Sequence, residues 1–208
     1  MSGSTALAAN LIQSLDADGF TLGNDLRVNK TGDTYQWIAF GANPHLHVGT
    51  YTGNGGSLAI TGLSFQPDLV FTMAADSGAM RWNSSLATVD SNTFDSNTPG
   101  NAGIQSFTAD GYTLSSGGSM NSAGVTYTFV AFDQHSAYFN QASYSGNGVD
   151  NRDITGVGFE PELLLVRQLG GSNTPVLKSG STGSADVGLR ADGTGSLSNS
   201  LQSIGVDG

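Results

Sequence analysis

The chain has 208 residues, 38% of them hydrophobic and only 12% charged, with 30 glycines and no cysteine. Seven Lys and Arg against seventeen Asp and Glu leave a formal net charge of −10, which argues against nucleic acid and acidic membrane surfaces as partners. The missing cysteines exclude disulfides and thiolate metal sites, and the length fits one large β domain or two of about 100 residues.

Taken in chain order, no segment shows a sustained 3.6-residue apolar period, and Ser4 to Leu15, "STALAANLIQSL", is only the best of the helical candidates. The opening "MSGSTALAANLI" lacks the basic segment and long apolar run of a secretory signal, and no stretch approaches a transmembrane span. "DADG", Asp16 to Gly19, reads as a hairpin turn between two short strands. "TYQWIAF", Thr34 to Phe40, reads as a strand covered on both faces, with Tyr35, Trp37 and Ala39 on one side and Ile38 and Phe40 on the other. The "TGNG" of Tyr51 to Gly55 has the Asn-Gly chemistry of a hairpin turn. In "FQPDLVF", Pro67 closes a loop just before an apolar run that reads as a buried strand.

The second half restates the first. Asp18-Gly19-Phe20 returns as Asp110-Gly111-Tyr112, and "TYQWIAF" as "TYTFVAF", Thr126 to Phe132, both 92 residues on. "YTGNG" returns as "YSGNG", Tyr144 to Gly148, and "ITGLSFQPDLV" (Ile60 to Val70) as "ITGVGFEPELL" (Ile154 to Leu164). Four blocks in one order at nearly constant spacing mark a duplicated module. Short strands with turn signals between them predict an all-β fold of two antiparallel β-sandwich units, of jelly-roll or lectin-like type.

One contiguous copy spans residues 46–139, and residues 1–45 plus 140–208 supply the later and earlier parts of a second. That second unit is expected to close within the chain or on a neighbouring one. Leu11 to Gly19, "LIQSLDADG", and Leu201 to Gly208, "LQSIGVDG", compete for one place, so a surplus strand favours pairing between molecules; the rival reading is a piece of a longer tandem array. The positions shared by both copies predict Trp37, Phe40, Phe65, Phe71, Phe129, Phe132, Phe159 and Leu164 as core.

Candidate sites are few. Arg81-Trp82-Asn83 joins a flat aromatic face to hydrogen-bonding groups, the chemistry of sugar or partner recognition, although a core tryptophan is the plainer reading. His45-Leu46-His47 puts two imidazoles on one face of a strand, but two ligands make no metal site, and none is predicted. Asp16 and Asp18 resemble part of a calcium loop whose other ligands are missing, so an Asp-Gly turn is expected; "DNRD", Asp150 to Asp153, reads as a polar turn. No nucleophile elbow, catalytic triad, phosphate loop or dinucleotide pattern is present, so neither enzymatic activity nor a cofactor is predicted.

The blocks "YTGNG", "ITGLSFQPDLV", "SLDADGFTLG" and "TYQWIAF" resemble a β-rich module that recurs in tandem in large secreted bacterial proteins and in phage tail and virion proteins. The resemblance covers nearly the whole chain. It implies a lectin-like β-sandwich on an extracellular or virion surface, with a structural or adhesive role and self-association or other repeats as partners. Val125 in "NSAGVTY" and the short "GGSM" loop of the second statement depart from "NDLRVNKTGDTY" in the first, so a binding role for that loop need not be common to both copies. The alternative function is carbohydrate binding around Trp82, with a surface glycan as partner; a polysaccharide-cleaving enzyme is a third reading.

Overall fold

The computed structural model describes residues 10–35, 37–75, 80–93, 103–168, 173–180, 187–190 and 194–205, with the backbone alone for 87–93. Its described residues form fourteen strands and one four-residue helix. Strands β1 (Ile12–Asp16) and β2 (Gly19–Leu22) make a hairpin, followed by α1 (Leu26–Asn29). The central body holds β3 (Leu46–Thr52), β4 (Leu58–Thr61), β5 (Leu69–Ala74), β6 (Arg81–Ser84), β7 (Ala87–Thr93), β8 (Ile104–Thr108), β9 (Gly111–Leu114) and β10 (Thr126–Phe132). After it come β11 (Leu163–Val166), β12 (Val176–Ser179), β13 (Val187–Arg190) and β14 (Ser196–Ser198), which form a four-stranded sheet in sequence order.

The body is two antiparallel sheets, one ordered β3-β10-β5-β6-β7 and one ordered β4-β9-β8. Period two in β10 explains its central place. Tyr127, Phe129 and Ala131 are buried on one face while Thr126 and Thr128 meet solvent on the other. Phe129 and Ala131 join Val70 of β5, Ile60 of β4, Ile104 of β8, and Tyr112 and Leu114 of β9 in one buried cluster. Both sheets therefore contribute to the same core. The opposite face of β10 is covered at its end only, where the rings of Phe40, Phe71 and Phe139 come within 5.3, 5.9 and 5.8 Å of Phe132.

Several expectations are met in detail. Asp-Gly turns close both the β1–β2 and β8–β9 hairpins. Pro67 and Pro161 each stand two residues ahead of a strand, where the missing N–H costs no ladder bond.

Others are corrected. Ile12–Leu15, the end of the best helical candidate, belongs to a strand, and residues 1–9 lie outside the described ones. The Asn54-Gly55 turn joins no hairpin, because β3 and β4 lie in different sheets. The loop is a crossover pressed against residues 121–125: Gly53 donates to Val125 and accepts from Gly124, both at 2.8 Å. A Cβ on Gly53 would sit 2.2 Å from the Ser122 carbonyl oxygen, so glycine is required there by contact. Leu201 to Gly205 belong to no strand, and residues 206–208, the end of "LQSIGVDG", lie outside the described residues.

The largest correction concerns "TYQWIAF". The described residues of Thr34 to Phe40 belong to no strand, and Trp37, Ile38 and Phe40 are 69%, 56% and 58% exposed. Phe129 and Phe132, their counterparts in the other copy, are buried. Phe65, Phe71, Phe159 and Leu164 are half-buried. The difference is one of partners. β10 lies between β3 and β5, whereas the corresponding segments of the second copy, residues 139–145 and β11, do not pair with Thr34–Phe40.

Candidate assembly site

Arg81-Trp82-Asn83 forms most of β6, an inner strand paired with β5 and β7. Trp82 stands opposite Phe71 and is 8% exposed, Asn83 is fully buried, and Arg81 is half-buried. The guanidinium of Arg167 lies 5.5 Å from the Trp82 ring centroid. The indole is therefore packed, not displayed as a platform for a sugar ring. In the aligned position, Lys178 on β12 is 5% exposed and donates to the carbonyls of Leu201 at 2.8 Å and Val187 at 3.3 Å. Its ammonium ties the four-stranded sheet to the chain that follows it.

The two imidazoles of His45 and His47 take separate partners. His45 Nδ1 lies 2.7 and 2.9 Å from the carboxylate oxygens of Asp133, and its ring packs against His135 and Tyr138. His47 lies parallel to Phe129, centroids 5.8 Å apart. The His45–Asp133 pair clamps the start of the central body to its end.

The aspartates act as turn residues. Asp16 accepts from the Thr21 hydroxyl across the hairpin. Asp110, the counterpart of Asp18, accepts the N–H groups of Gly62 and Ser64 at 2.9 and 2.7 Å. The Ser64 and Gly62 donors hold its carboxyl below the ordinary value of 3.8. A lowered folded-state pKa stabilises the fold above that ordinary value, and the contribution is lost as pH falls through the lowered one. Asp110→Asn is accordingly expected to lower the melting temperature at neutral pH and to converge with the parent chain below pH 3.8, measured by thermal melts across pH. "DNRD" is an exposed bend, in which Arg152 donates to the Ser145 carbonyl and lies over the Tyr144 ring.

The exposed strand-like segment of residues 34–40 is the unusual feature. Its immediate neighbourhood already has the conformation of the completed copy. Lys30 N–H donates to the Tyr35 hydroxyl as Ser122 N–H donates to that of Tyr127, both at 3.0 Å. Asn29 Nδ2 donates to the Gly23 carbonyl as Asn121 Nδ2 donates to that of Ser115. Gly32 and Gly124 share a positive φ, 88° and 79°. Asn121 has two further bonds that Asn29 lacks among the described contacts: it accepts Asn54 N–H at 2.9 Å and donates to the Gly56 carbonyl.

The early part of the second copy is shaped in the same way. The Asn43–Leu46 bridge recurs as His135–Phe139. Asn147 accepts Val149 N–H as Asn54 accepts that of Gly56. The left-handed backbone at Gly55 (φ 72°), Gly62 (88°) and Ser64 (67°) recurs at Gly148 (71°), Gly156 (86°) and Gly158 (89°). Local geometry is in place on both sides, and among the described residues no strand ladder joins Thr34–Phe40 to that early part.

The sequence reading found Thr34–Phe40 but missed Asn29 and Asn121. Their signal was the shared N-x-x-G-x-T-Y of "NKTGDTY" and "NSAGVTY".

Comparison with known proteins reaches the central body alone. No curated protein and no solved structure matches the chain. Residues 41–133, which run from just before β3 to just after β10 and make up less than half of the chain, are similar to a family described as a domain of unknown function (DUF7483).

Proposed function

We propose that the chain is a non-enzymatic structural and adhesive repeat protein of an extracellular or virion surface assembly, built from two β-sandwich units. The observation that carries this reading is the pairing of one completed copy with a second whose parts are shaped but unjoined. Apolar side chains at Trp37, Ile38 and Phe40 are exposed on a segment with strand periodicity, which suits a protein that functions against other modules. The sparse charge and the Ser, Thr, Asn and Gly surface suit such a setting. Carbohydrate binding through Trp82 has no support from its packing beneath Arg167.

Antibodies raised against residues 41–133, applied as immunogold to producing cells and released particles, test the setting. Regular labelling of an outer surface is expected. Label confined to the cell interior would overturn it.

A further inference from the structure

We infer that the second copy is completed in trans, by residues 11–40 of another molecule of the same chain. The inference rests on the repeat-assembly reading for its biological setting alone; its physical grounds are the register and the exposed edges.

The completed copy shows what a strand of this sequence does when its neighbours are present. In it, Phe132, Ala131, Val130 and Phe129 stand opposite Leu69, Val70, Phe71 and Thr72 of β5. On the other edge Phe132, Val130 and Tyr127 stand opposite Leu46, Val48 and Tyr51 of β3. Carried over through the repeat, Phe40, Ala39, Ile38 and Trp37 fall opposite Leu163, Leu164, Leu165 and Val166 of β11. On their other edge Phe40, Ile38 and Tyr35 fall opposite Phe139, Gln141 and Tyr144.

The acceptor matches that geometry. β11 is the outer strand of its sheet among the described residues, so one row of its backbone groups faces no other strand. Leu163 is 38% exposed and Tyr144 50%. The hairpin β1–β2 corresponds to β8–β9, and because β9 pairs with β4 its place is beside Arg152 to Thr155, where it competes with the chain's own Leu201 to Gly208, whose Gln202 bonds Asp150.

In this chain Phe40 instead packs on Phe132 and Trp37 on Phe20 (5.8 Å), so the donor strand is kept from its own β11. A second copy is the occupant that carries the correct residues in the correct register. Donor and acceptor are different surfaces, so the contact is head-to-tail and grows into open chains of molecules. Each copy carries −10, so screening by salt should strengthen the association.

The absence of native cysteine permits a direct test. Ile38→Cys and Leu165→Cys are made as separate proteins, mixed and oxidised; opposite positions in an antiparallel pair lie within disulfide reach. A mixed dimer is expected in clear excess over either homodimer, together with mass that rises with concentration and salt in light scattering. Ile38→Pro removes a ladder donor at an exposed position. It should weaken association by about tenfold or more while leaving the melting of residues 46–133 unchanged.

A strict monomer with no mixed dimer would overturn the inference. So would a double variant Ile38→Cys/Leu165→Cys that closes within one chain at monomer mass. Interior immunogold label with a positive cross-link would retire the surface setting and leave the exchange standing. Surface label with no cross-link would do the reverse.

Discussion

Phe129→Ala should cost about 3–5 kcal/mol of stability, the range for truncating a buried aromatic. Trp37→Ala, at the same position of the other copy, should cost less than about 0.5 kcal/mol in dilute solution, as exposed sites do. Phe129 is 3% exposed and sits where both sheets meet. Its ring takes the edge of Tyr112 at 5.7 Å and an interplanar angle of 83°, and lies parallel to His47. Opposite it in β3 is Gly49, where an added Cβ would fall 2.7 Å from the ring. Trp37 meets Phe20 alone among described ring contacts and is 69% exposed. Urea denaturation of the two variants at low protein concentration measures both values. A comparable loss in the two would mean that Trp37 is already covered within a single chain.

Asn121→Leu is the second substitution with a large expected effect. The side chain is 1% exposed, accepts Asn54 N–H, and donates to the carbonyls of Gly56 and Ser115. It thereby fastens the crossover loop to the segment that follows β9. Leucine leaves these backbone groups without the side chain that satisfied them, at about 1–3 kcal/mol for each one that stays dry. A total near 3 kcal/mol or more is expected from the denaturation midpoint. Asn29→Leu should be nearly silent in the isolated chain, because Asn29 is exposed and holds the Gly23 carbonyl alone. In an assembled sample the same substitution should weaken association, since Asn29 would there acquire the contacts of Asn121.

What could be read beforehand follows from how far along the chain each cause acts. The Asp-Gly hairpins and the strands after Pro67 and Pro161 were legible because turn chemistry and the apolar runs lie within a few residues of one another. The Asn54-Gly55 turn was misread because Asn-Gly specifies a backbone conformation, not the sheet that the next strand joins. Here that choice is made by Asn121, 67 residues away from Asn54. Trp82 was read more readily as core than as a recognition residue, and its burial against β5 and Arg167 agrees, although Arg167 lies 85 residues away in sequence. Thr34–Phe40 shows the limit most clearly. Alternation makes a segment able to be a strand, but a strand exists only beside a partner, and periodicity does not say in which molecule the partner is.

That last point is open to one direct observation, the amide hydrogen exchange of Trp37 to Phe40 followed from dilute to concentrated protein. Completion in trans predicts rapid exchange at high dilution and protection that grows with concentration and salt, in step with protection of Leu163 to Val166. Protection of both segments that is already full at the highest dilution, or rapid exchange of both at every concentration, would contradict it.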